Sequence, residues 1–262
     1  MISQKNSKGD SPLTMLTTNN NPALVPQGVI LIDKPVGKTS FSLVATLRRR
    51  LGVKKIGHCG TLDPLASGLM ILLVGRNYTR LSDQCLGQDK EYLATLQLGV
   101  ETDSYDAEGQ VKATSDFVPT LEQVQDALMT FQGEVEQIPP MFSAKKIKGK
   151  KLYELARKGE VIERAAVRVT IEAELISYQY PYVELRVACT KGTYIRSIAH
   201  DLGQLLSCGA HLTALRRTRS GEFHVQDSIN LDCPALCLTD ALQEHTTAAR
   251  AKGVKPCPKP IG

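Results

Sequence analysis

One stretch organises this sequence: Gly57-His58-Cys59-Gly60-Thr61-Leu62-Asp63-Pro64-Leu65-Ala66-Ser67-Gly68. It lies between a basic segment and the longest apolar run of the chain, Leu69 to Val74. Pro64 disfavours the helical conformation at Asp63 and favours an extended one, while the glycines let the backbone approach a ligand closely. The stretch therefore predicts a stiff loop that holds a single carboxylate at the entrance to a buried strand.

The residues alone leave two other interpretations of this stretch open. Asp-Pro between glycines is an ordinary turn signal, and an aspartate often bonds its own backbone. His58, Cys59 and Asp63 are potential metal ligands, but zinc sites usually carry paired ligands at short, regular spacing, and the sequence has no second pair. Local composition by itself favours the plain turn.

The composition indicates a globular chain with a basic surface. Its 262 residues suit one large domain or two modest ones, and 42% of them are hydrophobic. Part of the basic charge is concentrated in three clusters, which favour a long polyanion as partner, although any one cluster alone is more typical of a solvated face. The clusters are Arg48, Arg49, Arg50, Lys54 and Lys55; Lys145, Lys146, Lys148, Lys150 and Lys151; and Arg216, Arg217 and Arg219.

The cysteines and the N-terminal segment indicate the compartment. The 7 cysteines are odd in number and form no Cys-x-x-Cys, which argues against a disulfide scaffold and for reduced thiols. Residues 1–27 are polar and lack the apolar segment of a signal peptide, and no apolar run is long enough to cross a bilayer. We therefore expect a cytoplasmic protein with a disordered tail over residues 1–27.

Hydrophobic periodicity predicts the elements that follow this tail. Strands are predicted over 29–32, 69–74, 91–98, 168–180, 183–191 and 211–219. Helices are predicted from Thr39 or Ser40 to Leu51, over 78–86, from Thr120, over 152–157 and 195–206, and within 227–242. The acidic residues 101–109 indicate a solvated turn, and the Pro-hinged, lysine-rich segment 131–159 indicates a mobile flap over a polyanion.

Seven short motifs follow one another between Gly28 and Arg219. They are Gly-Val-Ile-Leu-Ile-Asp-Lys-Pro at 28–35, the stretch at 57–68, Asp-Lys-Glu-Tyr at 89–92, Gln-Ile-Pro-Pro-Met-Phe-Ser-Ala-Lys-Lys at 137–146, Gly-Lys-Lys-Leu-Tyr-Glu at 149–154, Cys-Thr-Lys-Gly-Thr-Tyr-Ile-Arg at 189–196, and Gly-Ala-His-Leu-Thr-Ala-Leu-Arg-Arg at 209–217. In this order they resemble the bacterial tRNA pseudouridine synthases of the TruB type. The resemblance outweighs the plain-turn interpretation of Asp63.

The resemblance implies that uridine-55 in the T-loop of tRNA is isomerised to pseudouridine. The N-glycosidic bond breaks, the uracil rotates while it is bound, and C5 bonds to the ribose. The target base must first be flipped out of its stack. Neither a cofactor nor a metal is implied, only a nucleophile or base beside the sugar and a dry pocket for the detached base.

The resemblance also implies roles for individual residues. Asp63 is the catalytic carboxylate, Arg196 pairs with it and favours its ionised form, and Tyr92 stacks on the base and is suited to removing the C5 proton. Lys34 and Pro35 match a structural turn beside the cleft. The substrate-binding residues are His58, Tyr92, Tyr194 and Leu215, and the basic clusters place Lys145, Lys146, Lys148, Arg216 and Arg217 on the RNA backbone.

In fold terms the resemblance implies an α+β pseudouridine synthase fold, with a mixed, mainly antiparallel central sheet flanked by helices and an RNA-clasping insertion at 131–159. The catalytic domain is expected over 28–245, followed by a basic tail at 246–262 rather than a full C-terminal RNA-binding domain. The expected partner is the T-arm of tRNA, with no membrane and no metal, and the protein is expected to be a monomer. Cys59 and Phe142 depart from the family's usual threonine and tyrosine.

Two rival functions remain at this stage. A tRNA-binding folding chaperone with incidental catalysis needs the basic clusters but not Asp63 together with Tyr92. A metal-dependent hydrolase acting on RNA needs convergent ligands that the sequence does not show. The enzyme interpretation is preferred because one carboxylate and one tyrosine fall where the resemblance requires them.

Overall fold

A computed structural model describes residues 26–83, 87–143, 146–147, 149–156, 159–160 and 162–255. Within these ranges ten strands form one sheet, and two smaller sheets have two strands each. Most of the predicted tail over 1–27 lies outside the described residues, as do residues 256–262 of the predicted C-terminal tail.

The strands are numbered along the chain. They are β1 (Gly28–Lys34), β2 (Ile56–His58), β3 (Ala66–Val74), β4 (Lys90–Leu98), β5 (Val100–Thr102), β6 (Val111–Thr114), β7 (Gly133–Gln137), β8 (Lys146–Ile147), β9 (Lys150–Lys151), β10 (Val167–Gln179), β11 (Tyr182–Cys189), β12 (Ala210–Ser220), β13 (Phe223–His224) and β14 (Ile229–Asn230). Each strand predicted from the sequence is present, within three residues of its predicted ends.

The large sheet is mixed and mainly antiparallel. Its order is β14-β1-β3-β12-β4-β11-β10-β7, with β2 paired to β3 and β13 to β12. Among the described strands of this sheet, β1 with β14 and β12 with β3 run parallel, and the other pairs run antiparallel. The predicted α+β class is confirmed.

Helices accompany the sheet, and two of them begin at the predicted capping residues. They are α1 (Ser40–Leu51), α2 (Arg76–Thr79), α3 (Leu121–Met129), α4 (Leu152–Ala156), α5 (Ile195–Leu205) and α6 (Ala235–Ala251). Thr39 Oγ1 caps α1 by accepting from Ser42 N at 3.0 Å, and Gly52 ends it in the left-handed conformation at φ 65°. Thr120 and Gln123 form the predicted capping box of α3.

One predicted helix is wrong in its extent. The helix expected over 78–86 is interrupted: α2 is a single turn that begins earlier, at Arg76, and residues 82 and 83 are helical again after a break at 80–81. Leu81 N donates to Tyr78 O at 2.8 Å, an i to i+3 bond that tightens the last turn and ends the helix. The residues 84–86 lie outside the described part of the chain.

The strands β1 and β3 are buried on both faces, which explains their continuous apolar sequences. Alternate residues point to opposite sides of a sheet, so each strand contributes to two clusters. One face carries Ile30, Ile32, Met70, Leu72 and Val74, in the main core with α1 and α5. The other face carries Val29, Leu31, Leu69, Ile71 and Leu73, in a smaller cluster with Phe223 and Ala249.

The helix α6 covers the outer edge of β1. Here β14 pairs only with Ile32 and Asp33, so the N–H groups further back along β1 need other acceptors. Thr246 Oγ1 accepts from Val29 N at 2.9 Å, and His245 Nδ1 accepts from Leu31 N at 3.1 Å. The expectation of a loose tail from residue 246 is therefore wrong for 246–251, because these residues complete a helix whose side chains satisfy the sheet edge.

This arrangement predicts a pH-dependent stability. His245 Nε2 donates to Asp227 O at 2.8 Å while Nδ1 accepts, which requires the neutral ring. Burial lowers the pKa of His245 below its unfolded value of about 6.5. Because the folded pKa is depressed, this stabilisation is complete above about pH 6.5 and is lost as the pH falls through the folded pKa.

The measurement is the free energy of unfolding in urea as a function of pH. We expect the wild-type value to fall more steeply below about pH 6.5 than that of His245→Gln, whose amide can accept and donate but does not titrate. Parallel pH profiles for the two proteins would contradict the assignment of His245 as an obligatory neutral acceptor.

Candidate active site

Asp63 lies at the start of a tight turn that leads into β3. Its carbonyl accepts from Ala66 N at 3.1 Å, and Pro64 occupies the second position, where its fixed φ suits the turn. Pro64 O accepts from Gly37 N at 2.8 Å and from Lys34 Nζ at 3.2 Å. The turn favoured by local composition is therefore present, and it also carries a carboxylate into the wall of a cleft.

Lys34 fixes this turn from beneath. It is fully buried, and its ammonium also donates to Pro35 O at 2.9 Å and Lys38 O at 2.5 Å. Burial lowers the pKa of Lys34, and the nearby Asp63 carboxylate opposes that effect. These contacts agree with the expectation that Lys34 and Pro35 belong to a structural turn.

The cleft has a volume of about 800 Å³ and opens beside the Asp63 turn. The floor comes from β4 and β12, and the walls come from the loop after β5 and from the start of α5. The predicted site residues that line it are Asp63, Tyr92, Tyr194, Arg196, Leu215 and Arg217. His58 and Arg216 are absent from its lining.

Arg196 joins two carboxylates beneath the cleft. Only 6% of its side chain is exposed, and its Nε lies 3.0 Å from Asp63 Oδ2. Its Nη1 lies 3.3 Å from Asp106 Oδ2. The remaining donors reach backbone carbonyls, Ser104 O at 3.1 Å and Phe142 O at 2.7 Å. The expected pairing of Asp63 with Arg196 is thus present, with a second acid behind it.

The two acids differ in their exposure. Both line the cleft, but the Asp63 side chain is 38% exposed whereas that of Asp106 is 4% exposed, so Asp63 is the more accessible of the two. Burial raises the pKa of the Asp63 carboxyl; Arg196 opposes that rise, and the Asp106 charge adds to it. Arg196 alone would lower the pKa of Asp63. Burial and the Asp106 charge outweigh this effect, so the pKa is raised overall.

Asp106 was missed by the sequence analysis, which placed 101–109 in a solvated turn. That expectation is wrong for Asp106: it is buried, and its Oδ1 accepts from Ser104 Oγ at 2.5 Å and from Glu108 N at 3.1 Å. The loop is held down because Tyr105 stacks on His200 of α5, with ring centroids 3.9 Å apart. No local pattern signals this, because the partner guanidinium is far away in the sequence.

Tyr92 and Arg217 lie opposite each other on β4 and β12, at the floor of the cleft. Burial raises the pKa of the Tyr92 phenol, whereas the Arg217 charge opposes that rise. Arg217 is 1% exposed and donates to Leu69 O at 2.7 Å and Gly60 O at 3.3 Å. It is therefore inaccessible to an RNA phosphate, and the expectation that it binds the RNA backbone is wrong.

Gly68 makes room for the strand that carries Arg217. Its φ is +100°, and a Cβ at this position would lie 2.3 Å from Arg217 O. A side chain there would force β3 and β12 apart, directly beneath the cleft. The last glycine of the opening stretch thus serves close strand packing rather than ligand contact.

Arg216 is engaged within the protein. Its guanidinium forms a two-pronged ion pair with Asp33, with distances of 3.1 Å from Nη1 to Oδ1 and 2.7 Å from Nη2 to Oδ2. The pair crosses β3 and ties β12 to β1. The Arg216 side chain is still 41% exposed. An RNA phosphate that bound to it, as predicted, would compete with Asp33 for the guanidinium.

His58 and Tyr194 flank the cleft in different ways. His58 ends β2, and its Nδ1 is buried without a hydrogen-bond partner among the described residues; burial lowers its pKa, and Arg217 adds to this. Tyr194 precedes α5, and its backbone is held on both sides by Gln137, whose Oε1 accepts from Tyr194 N at 2.7 Å and whose Nε2 donates to Tyr194 O at 3.0 Å. Gln137 was not singled out from the sequence.

The expected flap over 131–159 begins later than predicted. Residues 133–137 form β7, an edge strand of the main sheet. The following segment is fixed to α5, because Ser197 Oγ donates to Ile138 O at 2.9 Å and Arg196 donates to Phe142 O. The first part of the expected flap is therefore a wall of the site. Lys145 and Lys148 lie outside the described residues, as does the side chain of Lys146.

The described ranges contain no group of three or more His, Cys, Asp or Glu side chains placed to hold a metal ion. Within these ranges Cys59, Cys189, Cys208, Cys233 and Cys237 form no disulfide. No helix in these ranges is long and apolar enough to cross a membrane.

Comparison with known proteins supplies the family. The model of the TruB family pseudouridylate synthase N-terminal domain matches residues 48–195, and that of the tRNA pseudouridylate synthase B C-terminal domain matches residues 196–249. The second match begins at α5 and covers β12 and most of α6, elements that here belong to the main sheet and its edge.

Curated relatives match this chain along most of their length. The tRNA pseudouridine synthase B of Protochlamydia amoebophila (strain UWE25) is 60% identical over 233 residues, which are 87% of this chain and 89% of the relative. The protein of the same name from Chlamydia abortus is 53% identical over 221 residues, 83% of this chain and 94% of the relative.

Solved structures show the same fold in larger chains. A chain in the crystal structure of a Cbf5-Nop10-Gar1 complex has a TM-score of 0.62 and 32% identity, covering 79% of this chain and 53% of that one. A chain in an H/ACA RNP bound to a substrate RNA containing 2′-deoxyuridine has a TM-score of 0.59 and 28% identity, covering 88% and 57%. The present chain thus spans just over half the length of these neighbours, and together with the matched family models and relatives they show that it belongs to the TruB family of pseudouridylate synthases.

Proposed function

We propose that this protein converts uridine-55 in the T-loop of tRNA to pseudouridine, with Asp63 as the catalytic carboxylate. The observation that carries the proposal is the exposure of Asp63 to the cleft while its partners Arg196 and Asp106 are buried behind it. The names of the curated relatives, tRNA pseudouridine synthase B, support tRNA as the substrate.

The proposed reaction is an isomerisation in which nothing is gained or lost. The bond between uracil N1 and ribose C1′ breaks, a bond between C5 and C1′ forms, C5 loses a proton, and N1 acquires one. Asp63 acts beside the ribose as nucleophile or base. Arg196 keeps the carboxylate at the cleft wall, because its Nε holds Oδ2 at 3.0 Å while its other donors are fixed elsewhere.

Tyr92 is proposed to stack on the flipped uracil and to accept the C5 proton. The ring lies at the cleft floor, where a flat base can lie against it. Its phenol has a raised pKa because of burial, and the fixed guanidinium of Arg217 counteracts that rise. Because only the phenolate can accept the C5 proton, the Arg217 charge, which favours the ionised form against the effect of burial, is proposed to make Tyr92 a usable base.

The remaining proposed roles are to flip the target base out of its stack and to bind it in the cleft. A uridine in a folded loop must leave its stack to reach the cleft. Leu215 and Tyr194 line the space that it would enter, and His58, on the strand leading into the Asp63 loop, is proposed to enter the space it leaves. Contacts with the phosphate backbone of the RNA are assigned to Lys145, Lys146 and Lys148 together with the basic end of α1.

Asp63→Asn tests the central assignment. The amide keeps the size of the side chain but removes the charge, so we expect no turnover, while the Kd for a T-arm stem–loop RNA stays within about tenfold, or about 1.4 kcal/mol. The assay maps pseudouridine in that RNA after incubation with purified protein and no added metal. Asp116→Asn, at an exposed aspartate that does not line the cleft, is the matched control and should retain full activity. Multiple turnovers by clean Asp63→Asn protein would exclude the role given to Asp63.

Tyr92→Phe separates stacking from proton removal. The variant retains the ring and loses only the phenol, so the RNA should bind normally and the glycosidic bond should still break, but pseudouridine should not accumulate. Single-turnover yield, compared with Tyr182→Phe on the exposed part of β11, is the measurement. A near-normal yield would leave stacking as the whole contribution of Tyr92.

A further inference from the structure

An exposed apolar surface adjoins the Asp63 turn and has no part in the site described so far. It belongs to the segment from Val36 to Phe41, which runs from the turn after β1 into the first turn of α1. Phe41 is 68% exposed and Val36 is 67% exposed, and neither joins a core cluster. These side chains are available to a partner, and covering them would remove apolar surface from water.

The segment is tied directly to the catalytic loop. Gly37 N donates to Pro64 O at 2.8 Å, one residue after Asp63. Ser40 Oγ lies 2.9 Å from both Leu62 N and Leu62 O, one residue before it. Because bonds on both sides of Asp63 reach this segment, the exposed side chains keep a fixed position relative to the catalytic carboxylate.

The fold itself does not use the Phe41 ring. Thr39 caps α1, and the buried face of the helix consists of Ser40, Leu43, Val44 and Leu47. Phe41 points away from that face, at the second position of the helix. Its neighbour in the turn, Lys38, is exposed. The first turn of α1 contains no acidic residue, and its last turn carries Arg48, Arg49 and Arg50.

We propose that Val36–Phe41 is a base-stacking subsite for an unpaired nucleotide of the substrate RNA adjacent to the target uridine. An exposed aromatic ring beside an exposed cation, here Phe41 and Lys38, is a combination that binds single-stranded nucleic acid, with a base on the ring and the backbone near the cation. The subsite is outside the uracil cleft, since none of its residues lines that cleft. The inference rests on the proposed function for the identity of the RNA.

The absence of tryptophan from the sequence allows a direct test. The chain contains 0 Trp, so Phe41→Trp introduces a single indole at the subsite. We expect its fluorescence to be quenched when a T-arm stem–loop RNA binds, because a stacked base quenches indole. The matched control is Met129→Trp, also on an exposed residue, at 69%. It lies on α3, which packs against β10. In the main sheet β10 is four strands from β3, which corresponds to roughly 19 Å. Its fluorescence should not be quenched.

Affinity measurements provide the second readout. Stacking on one aromatic ring contributes about 1–3 kcal/mol per base, so Phe41→Ala should raise the Kd at least about fivefold, with an unchanged slope of log affinity against log salt. Phe41→Tyr and Phe41→Trp should keep the wild-type Kd, which shows that the loss is not a folding defect. Pseudouridine formation by Phe41→Ala should persist in single turnovers at saturating enzyme.

Two results would overturn the subsite. One is an indole at position 41 that is not quenched while the RNA is bound, and the other is a Phe41→Ala Kd within twofold of wild type; either would leave the surface to a protein partner. Failure of the proposed function would look different, since the wild-type protein would then bind the stem–loop without forming pseudouridine in it.

Discussion

The site depends on one buried cation, the guanidinium of Arg196. It joins three segments that are distant in the sequence: the turn before β3 through Asp63, the loop after β5 through Asp106 and Ser104, and the segment after β7 through Phe142 O. A buried charge is tolerated only when it is paired and its donors are satisfied. The cleft therefore assembles as a unit, because removing Arg196 would leave a buried carboxylate uncompensated, at a cost of about 3–5 kcal/mol.

Two further cations support the same cleft, and within the described part of the chain neither forms a salt bridge. Lys34 donates to the carbonyls of Pro35, Lys38 and Pro64, and Arg217 donates to those of Leu69 and Gly60. Their charges are thus fixed by backbone dipoles rather than cancelled. Fixed positive charge beneath a cleft stabilises negative charge that develops in it, which is the environment that a carboxylate and a phenol need during proton transfer.

Local sequence signals predicted the parts of this arrangement that are encoded locally. The caps of α1 and α3, the alternation in β4 and the turn at Asp63-Pro64 depend on neighbouring residues, and all are present. Asp63, Tyr92 and Arg196 were identified by resemblance, and the fold brings them to one cleft.

The remaining features depend on tertiary contacts that no local pattern records. In the sequence Asp106 resembles any acid in a polar loop, and only the folded structure shows that it pairs with Arg196. Arg216 and Arg217 look equivalent in the sequence, but the two-residue period of β12 sends the second into the core and the first toward Asp33. In α6, His245 and Thr246 look like surface residues, yet they satisfy the edge of β1.

The measurement that tests the central claim most directly is the pH dependence of the single-turnover rate in wild type and in Asp106→Asn. If Asp63 must be ionised, the rate falls in acid as its carboxyl is protonated. The Asp106 charge raises the pKa of Asp63, so its removal should move the acid limb of the profile to lower pH. An acid limb that stays in place, or moves to higher pH, would show that Asp63, Arg196 and Asp106 do not act as one electrostatic unit.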